Sequence, residues 1–395
     1  MTIFDTLESE VRSYCRFWPV VFDRAAGSRL YDENGRGYLD FFAGAGALNY
    51  GHNNRLLKRA IIDYIERDGV THALDMWTVA KRDFLETFQE LVLRPRELDY
   101  LVMFPGPAGT TAVEAALKLA RKVTGRPLVV GFKNAFHGMT LGSLSVAGDS
   151  VRRAGIGVPV THTKAIPFDG RLDVPDEAAA VIVETVQAEG GLNAAGVRWL
   201  RELSDLCRRR GVLLIVDDVQ MGCGRTGPFF SFEVAGIQPD IVCLSKSVGG
   251  FGLPMAMTLF RPDFDVWRPG EHSGTFRGVN PAFVAAAEAL RVYWRDDRLE
   301  KSTLAKGEQV ERALVGLAEW SAGEPRGRGL ARGLAFPDGA TARSVCRAAF
   351  ERGLLMETAG PDGEVVKLMP PLTVTDAELE EGLAILVDCV KGVRT

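Results

Sequence analysis

The chain has 395 residues, 46% of them hydrophobic and 25% charged, enough for a large core and a second, smaller domain. Its formal charge of −4, with no long basic run, argues against a nucleic-acid-binding surface, and no apolar run reaches membrane-spanning length. The six cysteines, at 15, 207, 223, 243, 346 and 389, form no Cys-x-x-Cys pair and no metal-ligand spacing; with an acidic N-terminus lacking a signal-peptide core, they suit a reducing cytoplasm and no metal site.

Residues 20–40 hold two strand-like runs around Gly27 and an Asn34-Gly35 turn. Residues 41–52 are rich in Gly and Ala, with Phe41, Phe42 and Tyr50. They read equally as a loop where backbone approaches a ligand or as a buried glycine-rich crossing. Residues 55–67 and 80–93 carry helical spacing. Val102-Met-Phe104 leads into Pro105-Gly-Pro-Ala-Gly109-Thr110-Thr111 and an Ala-rich run. That is a strand, a Gly/Pro loop, a Thr cap and a helix, and exposed amides at a helix start bind phosphate. The Walker A Gly-Lys-Ser/Thr is missing, and many such loops only cap a helix.

Leu128-Val-Val-Gly-Phe132 is the next strand, followed by Asn134-Ala-Phe136-His137-Gly138-Met139-Thr140. Phe136 reads as an aromatic that stacks on a flat ring or as an ordinary core residue. Val181-Ile-Val-Glu184 continues to Glu189, another apolar run ending in carboxylates, and residues 199–210 form an amphipathic helical pattern.

Leu213-Leu-Ile-Val-Asp217-Asp218 and Asp240-Ile-Val-Cys-Leu-Ser-Lys246 are short β-branched runs ending in charged groups, as buried strands of a parallel sheet do. Ligands bind beyond the carboxyl ends of such strands, so the acid and the lysine can face one crevice. A lysine among apolar neighbours can act as an amine nucleophile. An aspartate beside a pyridinium nitrogen keeps it protonated. Together they are the protein's half of a pyridoxal 5'-phosphate (PLP) site. Each alone has a plainer reading, a solvated strand-end lysine and a capping or turn aspartate. Successive strand side chains point to opposite faces, so Asp217 rather than Asp218 is expected to face the ring.

Residues 255–260 read as a short edge-like strand, and Asn280-Pro281 opens a helical pattern through Tyr293. From about residue 300 the chain resembles a smaller domain. It holds a strand-like Val365-Val-Lys367-Leu-Met369 and a last helix opening at Thr375-Asp-Ala-Glu378. Strands alternating with helices argue a doubly wound, mostly parallel α/β domain over 55–295. A smaller α+β domain is expected over 296–395, with the segment 1–54 contributing to it and to the mouth of the site.

Val216-Asp217-Asp218-Val219-Gln220 through Gly224-Arg-Thr-Gly227, with Leu244-Ser-Lys246-Ser and Gly249-Gly250, resembles the central signature of the class III (ω-) aminotransferases of PLP fold type I, the aspartate aminotransferase-like fold. The likeness covers nearly the whole chain. Ser9-Glu-Val-Arg-Ser-Tyr-Cys15, Phe42 to Asn54, Asn134 to Thr140 and Gly274-Thr-Phe-Arg-Gly278 are similar to the diaminobutyrate–2-oxoglutarate transaminases of the ectoine pathway.

The resemblance implies roles residue by residue. Lys246 would hold PLP covalently and shuttle a proton, and Asp217 would pair with the ring nitrogen. Gln220 would contact the ring hydroxyl and Phe136 would stack on the ring, beside His137. Gly109 and Thr110 would hold the phosphate, and Thr275 would reach the phosphate of a neighbouring subunit, which implies a homodimer with shared sites or a higher oligomer. Glu184 and Glu189 would line the site or stand just behind its wall, and Tyr50, Glu189, Arg277 and Lys367 would meet substrate, Arg277 reading alternatively as a salt bridge across the dimer.

By this resemblance, many relatives have Arg at the positions of Met139 and Lys367 and Gly at Ala188, and the stretch 169–180 looks shorter than the subgroup's. The expected reaction moves an amino group between glutamate/2-oxoglutarate and the terminal carbon of a short amino acid, aspartate 4-semialdehyde becoming 2,4-diaminobutyrate. Another ω-transaminase, or a PLP racemase or aminomutase, is the alternative.

Overall fold

The computed structural model describes residues 2–148, 151–158 and 160–393. Strands β1 (Phe22–Ala26), β2 (Arg29–Asp32) and β3 (Gly37–Asp40) form an antiparallel meander near the N-terminus. The region expected to hold two strands holds three, because Gly27 (φ 57°) and Gly35 (φ 84°) each provide a left-handed turn.

The large sheet is built from β4 (Leu101–Met103), β5 (Leu128–Phe132), β6 (Thr163–Ile166), β7 (Ala178–Val183), then, past a small hairpin of β8 (Val186–Gln187) and β9 (Asn193–Ala194), from β10 (Leu213–Asp217), β11 (Ile241–Leu244) and β12 (Met257–Phe260). Its spatial order is β4-β12-β11-β10-β7-β5-β6. All pairings are parallel except those of β12, which runs antiparallel between β11 and β4. The run 255–260 is therefore an interior strand and not an edge. Both its neighbours use its backbone groups, and every one of its residues is buried.

The period of two sorts this sheet's core. Val129, Ala180, Ile182, Leu213, Ile215 and Ile241 pack on one face against Ala112, Ala115, Ala116 and Leu119 of the helix Gly109–Thr124. Val130, Phe132, Val181, Val183, Leu214, Val216 and Val242 pack on the other with Leu200 and Leu203 of the helix Val197–Arg210. The expected threonine cap is absent from the first of these helices. Ala108 occupies the cap position without a side-chain bond, and Thr111 Oγ1 donates back to the Ala108 carbonyl at 2.6 Å. Among the described residues the amides of Gly109 and Thr110 are thus left without a side-chain cap. The pattern over 80–93 becomes the helix Val79–Phe88 followed by a π turn, Gln89–Leu93.

Toward the C-terminus, β13 (Glu324–Arg328), β14 (Ala331–Ala335), β16 (Glu357–Ala359) and β17 (Val365–Leu368) form an antiparallel sheet in the order β13-β14-β17-β16. The short β15 (Leu354–Leu355) pairs in parallel with β3 and joins the N-terminal meander to this part of the chain. Among the described residues no helix is long and apolar enough to cross a membrane.

Candidate active site

Five chain segments meet beyond the carboxyl edge of the large sheet. The loop after β4 delivers Gly109 and Thr110, and the loop after β5 delivers Phe136, His137 and Gly138. Glu184 follows β7, Asp217 ends β10 and Lys246 follows β11. All line one cavity, joined by Ala188, Glu189, Val219, Gln220 and Met221. The register explains the meeting. Val216 pairs with Val183 and Asp217 with Cys243, so three neighbouring strands end at the same level.

Asp217 Oδ2 lies 2.6 Å from His137 Nδ1. Burial opposes protonation of this imidazole, but the hydrogen bond and charge of Asp217 outweigh it and raise the His137 pKa. Asp218 points away. Its Oδ2 accepts from the Ser231 amide at 2.9 Å, and burial lifts its pKa to about 7. Lys246 has a left-handed backbone (φ 54°), rare outside glycine, and its Nζ donates to the Ala45 carbonyl at 2.8 Å. Burial lowers its pKa to about 8, against the pull of Glu189.

The family model for class-III aminotransferases matches residues 12–390. The chain belongs to the class III aminotransferases. The diaminobutyrate–2-oxoglutarate transaminase of Streptomyces anulatus is 63% identical over 410 aligned positions, covering 99% of this chain and 98% of that protein. That span exceeds the 395 residues here, so at least 15 positions of the relative have no counterpart in this chain. The enzyme of the same name from Nocardia farcinica is 60% identical, covering 100% of this chain and 94% of its own. Among solved structures, the ornithine aminotransferase of Toxoplasma gondii superposes with a TM-score of 0.88 at 28% identity, covering 99% and 94% of the two chains. A second structure of that enzyme, with PLP at partial occupancy in its active site, gives 0.87 at 29%.

PLP is the cofactor of this aminotransferase family, and the cavity fits it in three respects. Two buried polar atoms on its wall, His137 Nε2 and Gln220 Oε1, have no partner among the described residues. The helix that begins at Gly109 offers uncapped amides, suited to a phosphate. Gly109 and Gly138 leave room there, because a Cβ at Gly109 would stand 2.7 Å from Val219 Cγ1 and one at Gly138 2.4 Å from Thr110 Oγ1. Thr110 Oγ1 is itself within 2.7 Å of Ser143 Oγ.

The remaining sequence-derived candidates divide. Gln220 and Glu189 belong to the wall, and Gln220 Nε2 donates to Ala45 O at 2.9 Å. The Phe136 amide donates to Glu184 Oε2 at 3.0 Å, and burial raises that carboxyl to about 7. Tyr50 does not reach the cavity. It is buried against Tyr293, with ring centres 4.8 Å apart, and its hydroxyl accepts from Trp294 Nε1, so its apolar ring serves the core.

Lys367 is likewise not a free cation for substrate. It is fully buried and lies 2.7 Å from Glu189 Oε1 and 2.9 Å from Glu357 Oε1. Burial works against its charge, yet these carboxylates outweigh it and raise its pKa. Arg277 and Thr275 stand outside the wall of this chain's cavity. Arg277 donates to His272 O at 3.1 Å, and the Thr275 carbonyl lies 2.6 Å from His72 Nε2. Sequence reasoning missed the Ala45 carbonyl and Glu357. The glycine-rich run around Ala45 carried a signal for backbone near a ligand, whereas Glu357 carried none.

Proposed function

We propose that this aminotransferase moves an amino group between glutamate/2-oxoglutarate and the terminal carbon of a short amino acid, with aspartate 4-semialdehyde and 2,4-diaminobutyrate as the pair. The observation that carries the reading is Lys246, buried in a wall shared with the Asp217–His137 pair, in a chain 63% identical along its length to a diaminobutyrate–2-oxoglutarate transaminase.

When bound, PLP supplies the electron sink that lets an amino group leave one carbon and enter another. The protein's part is to hold, orient and move protons. Lys246 Nζ would be the attachment point and the proton carrier, and its lowered pKa gives a useful fraction of neutral amine near pH 8. Asp217, fixed through His137 Nδ1, would balance positive charge on the ring nitrogen. Phe136 would cover one ring face, Gln220 would meet the ring hydroxyl, and Gly109 and Thr110 would take the phosphate.

The working unit is a homodimer in which Thr275 and Arg277 complete the partner's site. Support comes from exposed apolar groups around these residues. Trp77 is 97% exposed and Phe276 62%, and backbone bonds from Ala73 to Gly278 and from Asn280 to Thr71 tie their two loops together. Residues 55–295 act as the cofactor domain, and 1–54 act with 296–395, as the β3–β15 pairing favours. The place of action is the cytoplasm, in ectoine synthesis.

Borohydride reduction of the purified yellow protein should fix the cofactor to one peptide, the one containing Lys246. Glutamate and diaminobutyrate should bleach the cofactor absorbance. Label on a peptide lacking Lys246, or no bleaching by either amine, would overturn the reading.

A further inference from the structure

The cavity wall carries more carboxyl groups than basic ones. Asp217, Glu184 and Glu189 stand beside Lys246 and His137. Lys367, just behind, is taken up by Glu189 and Glu357. Met139 brings only a thioether, and Arg277 is bonded to His272 outside the wall. Yet a glutamate donor carries two carboxylates, and a partly buried carboxylate without a cation is costly.

One cation at the mouth has no assignment. Arg152 lies in the turn Val151–Arg153, with its guanidinium carbon 5.1 Å from the centre of the Phe136 ring. Phe136 is part of the cavity wall. Among the described residues Arg152 makes no hydrogen bond and no ion pair, whereas its neighbour Arg153 donates to the Ala147 carbonyl at 3.4 Å. A guanidinium resting on an aromatic face keeps its N–H edge open and its plane oriented, which suits a two-pronged grip on a carboxylate. Within electrostatic reach of Arg152 is Tyr14, stacked on Trp18 and 5.0 Å from Phe42. Burial and the carboxylates of Glu357 and Glu189 push its phenol up to about 12, so it stays a neutral hydrogen-bond donor.

We infer that Arg152, carried on Phe136, binds the distal carboxylate of the amino donor and so selects dicarboxylic donors at the cavity mouth. The inference rests on glutamate being the donor.

The test uses holoenzyme and two variants, Arg152→Gln and Arg152→Lys. Glutarate, a dicarboxylate with no amine to transfer, is titrated calorimetrically, and glutamate kinetics are measured alongside. Arg152→Gln should weaken glutarate and raise the glutamate KM about 10- to 100-fold, the size of one charge-assisted hydrogen bond. The loss should fall on KM rather than kcat, and Arg152→Lys should recover part of it. The cofactor absorbance should not change. Three results would overturn the inference: no glutarate binding by the parent holoenzyme, both constants within threefold of the parent in Arg152→Gln, or an effect on kcat alone. If glutamate is no donor but glutarate binding still depends on Arg152, the functional reading fails and the carboxylate site stands.

Discussion

Replacing Asp218 by Asn should stabilise the protein at pH 8 and not at pH 5, without stopping the reaction. Asp218 is buried beside the site, with Oδ2 on the Ser231 amide and Oδ1 unpartnered among the described residues. Burial raises its pKa from 3.8 to about 7. The folded state therefore holds this proton more tightly than the unfolded chain does. Its contribution is full below pH 3.8 and is lost as pH rises through 7. The rise corresponds to about 4 kcal/mol given up by pH 8. An asparagine keeps the acceptor for Ser231 and is neutral at every pH, but its amide group would lack an acceptor, at about 1–3 kcal/mol.

The net gain at pH 8 is thus about 1–3 kcal/mol, turning to a small loss at pH 5. Glu184 titrates over a similar range but is common to both proteins and cancels in the difference. Calorimetric melting of parent and variant across pH 5 to 8 reads the effect as a change in Tm difference. Asp217→Asn, by contrast, should lower kcat at least about 100-fold, since it disturbs the His137 pair. A Tm difference that is flat with pH would refute the account of Asp218. Loss of activity in Asp218→Asn with survival of Asp217→Asn would refute the register of β10.

Lys367→Met should leave Glu189 and Glu357 buried without their shared cation. It is expected to cost about 3–5 kcal/mol at pH 7, partly recovered at pH 5 as one carboxylate takes a proton, measured by denaturant unfolding. Light scattering at assay concentration should show a dimer as the active species; a fully active monomer would remove Thr275 and Arg277 from any shared site.

The meeting of Asp217 and Lys246 at one cavity was legible because it is written in short contiguous runs. Asp217 and Lys246 each close a buried strand, and strand periodicity alone predicts that Asp217 and Asp218 diverge, as they do. The helix from Asn280 to Tyr293 and the last helix, opening at Thr375, were legible for the same local reason. The edge reading of 255–260 failed because strand order is not a local property. A run of apolar residues looks alike whether one neighbour or two use its backbone, and only β4, more than 150 positions earlier, decides that.

The substrate half depended on distance across the fold. Lys367 looked like a free cation because its partners Glu189 and Glu357 approach it through tertiary packing, and Tyr50 looked accessible until Trp294 and Tyr293 enclosed it. The sequence by itself determined which chemistry is present, since the identity and strand-end placement of Lys246 and Asp217 are local facts. Only the tertiary structure decided which charges remain free to act, because the energy of a buried ion depends on what stands within a few ångströms of it, whatever its separation along the chain.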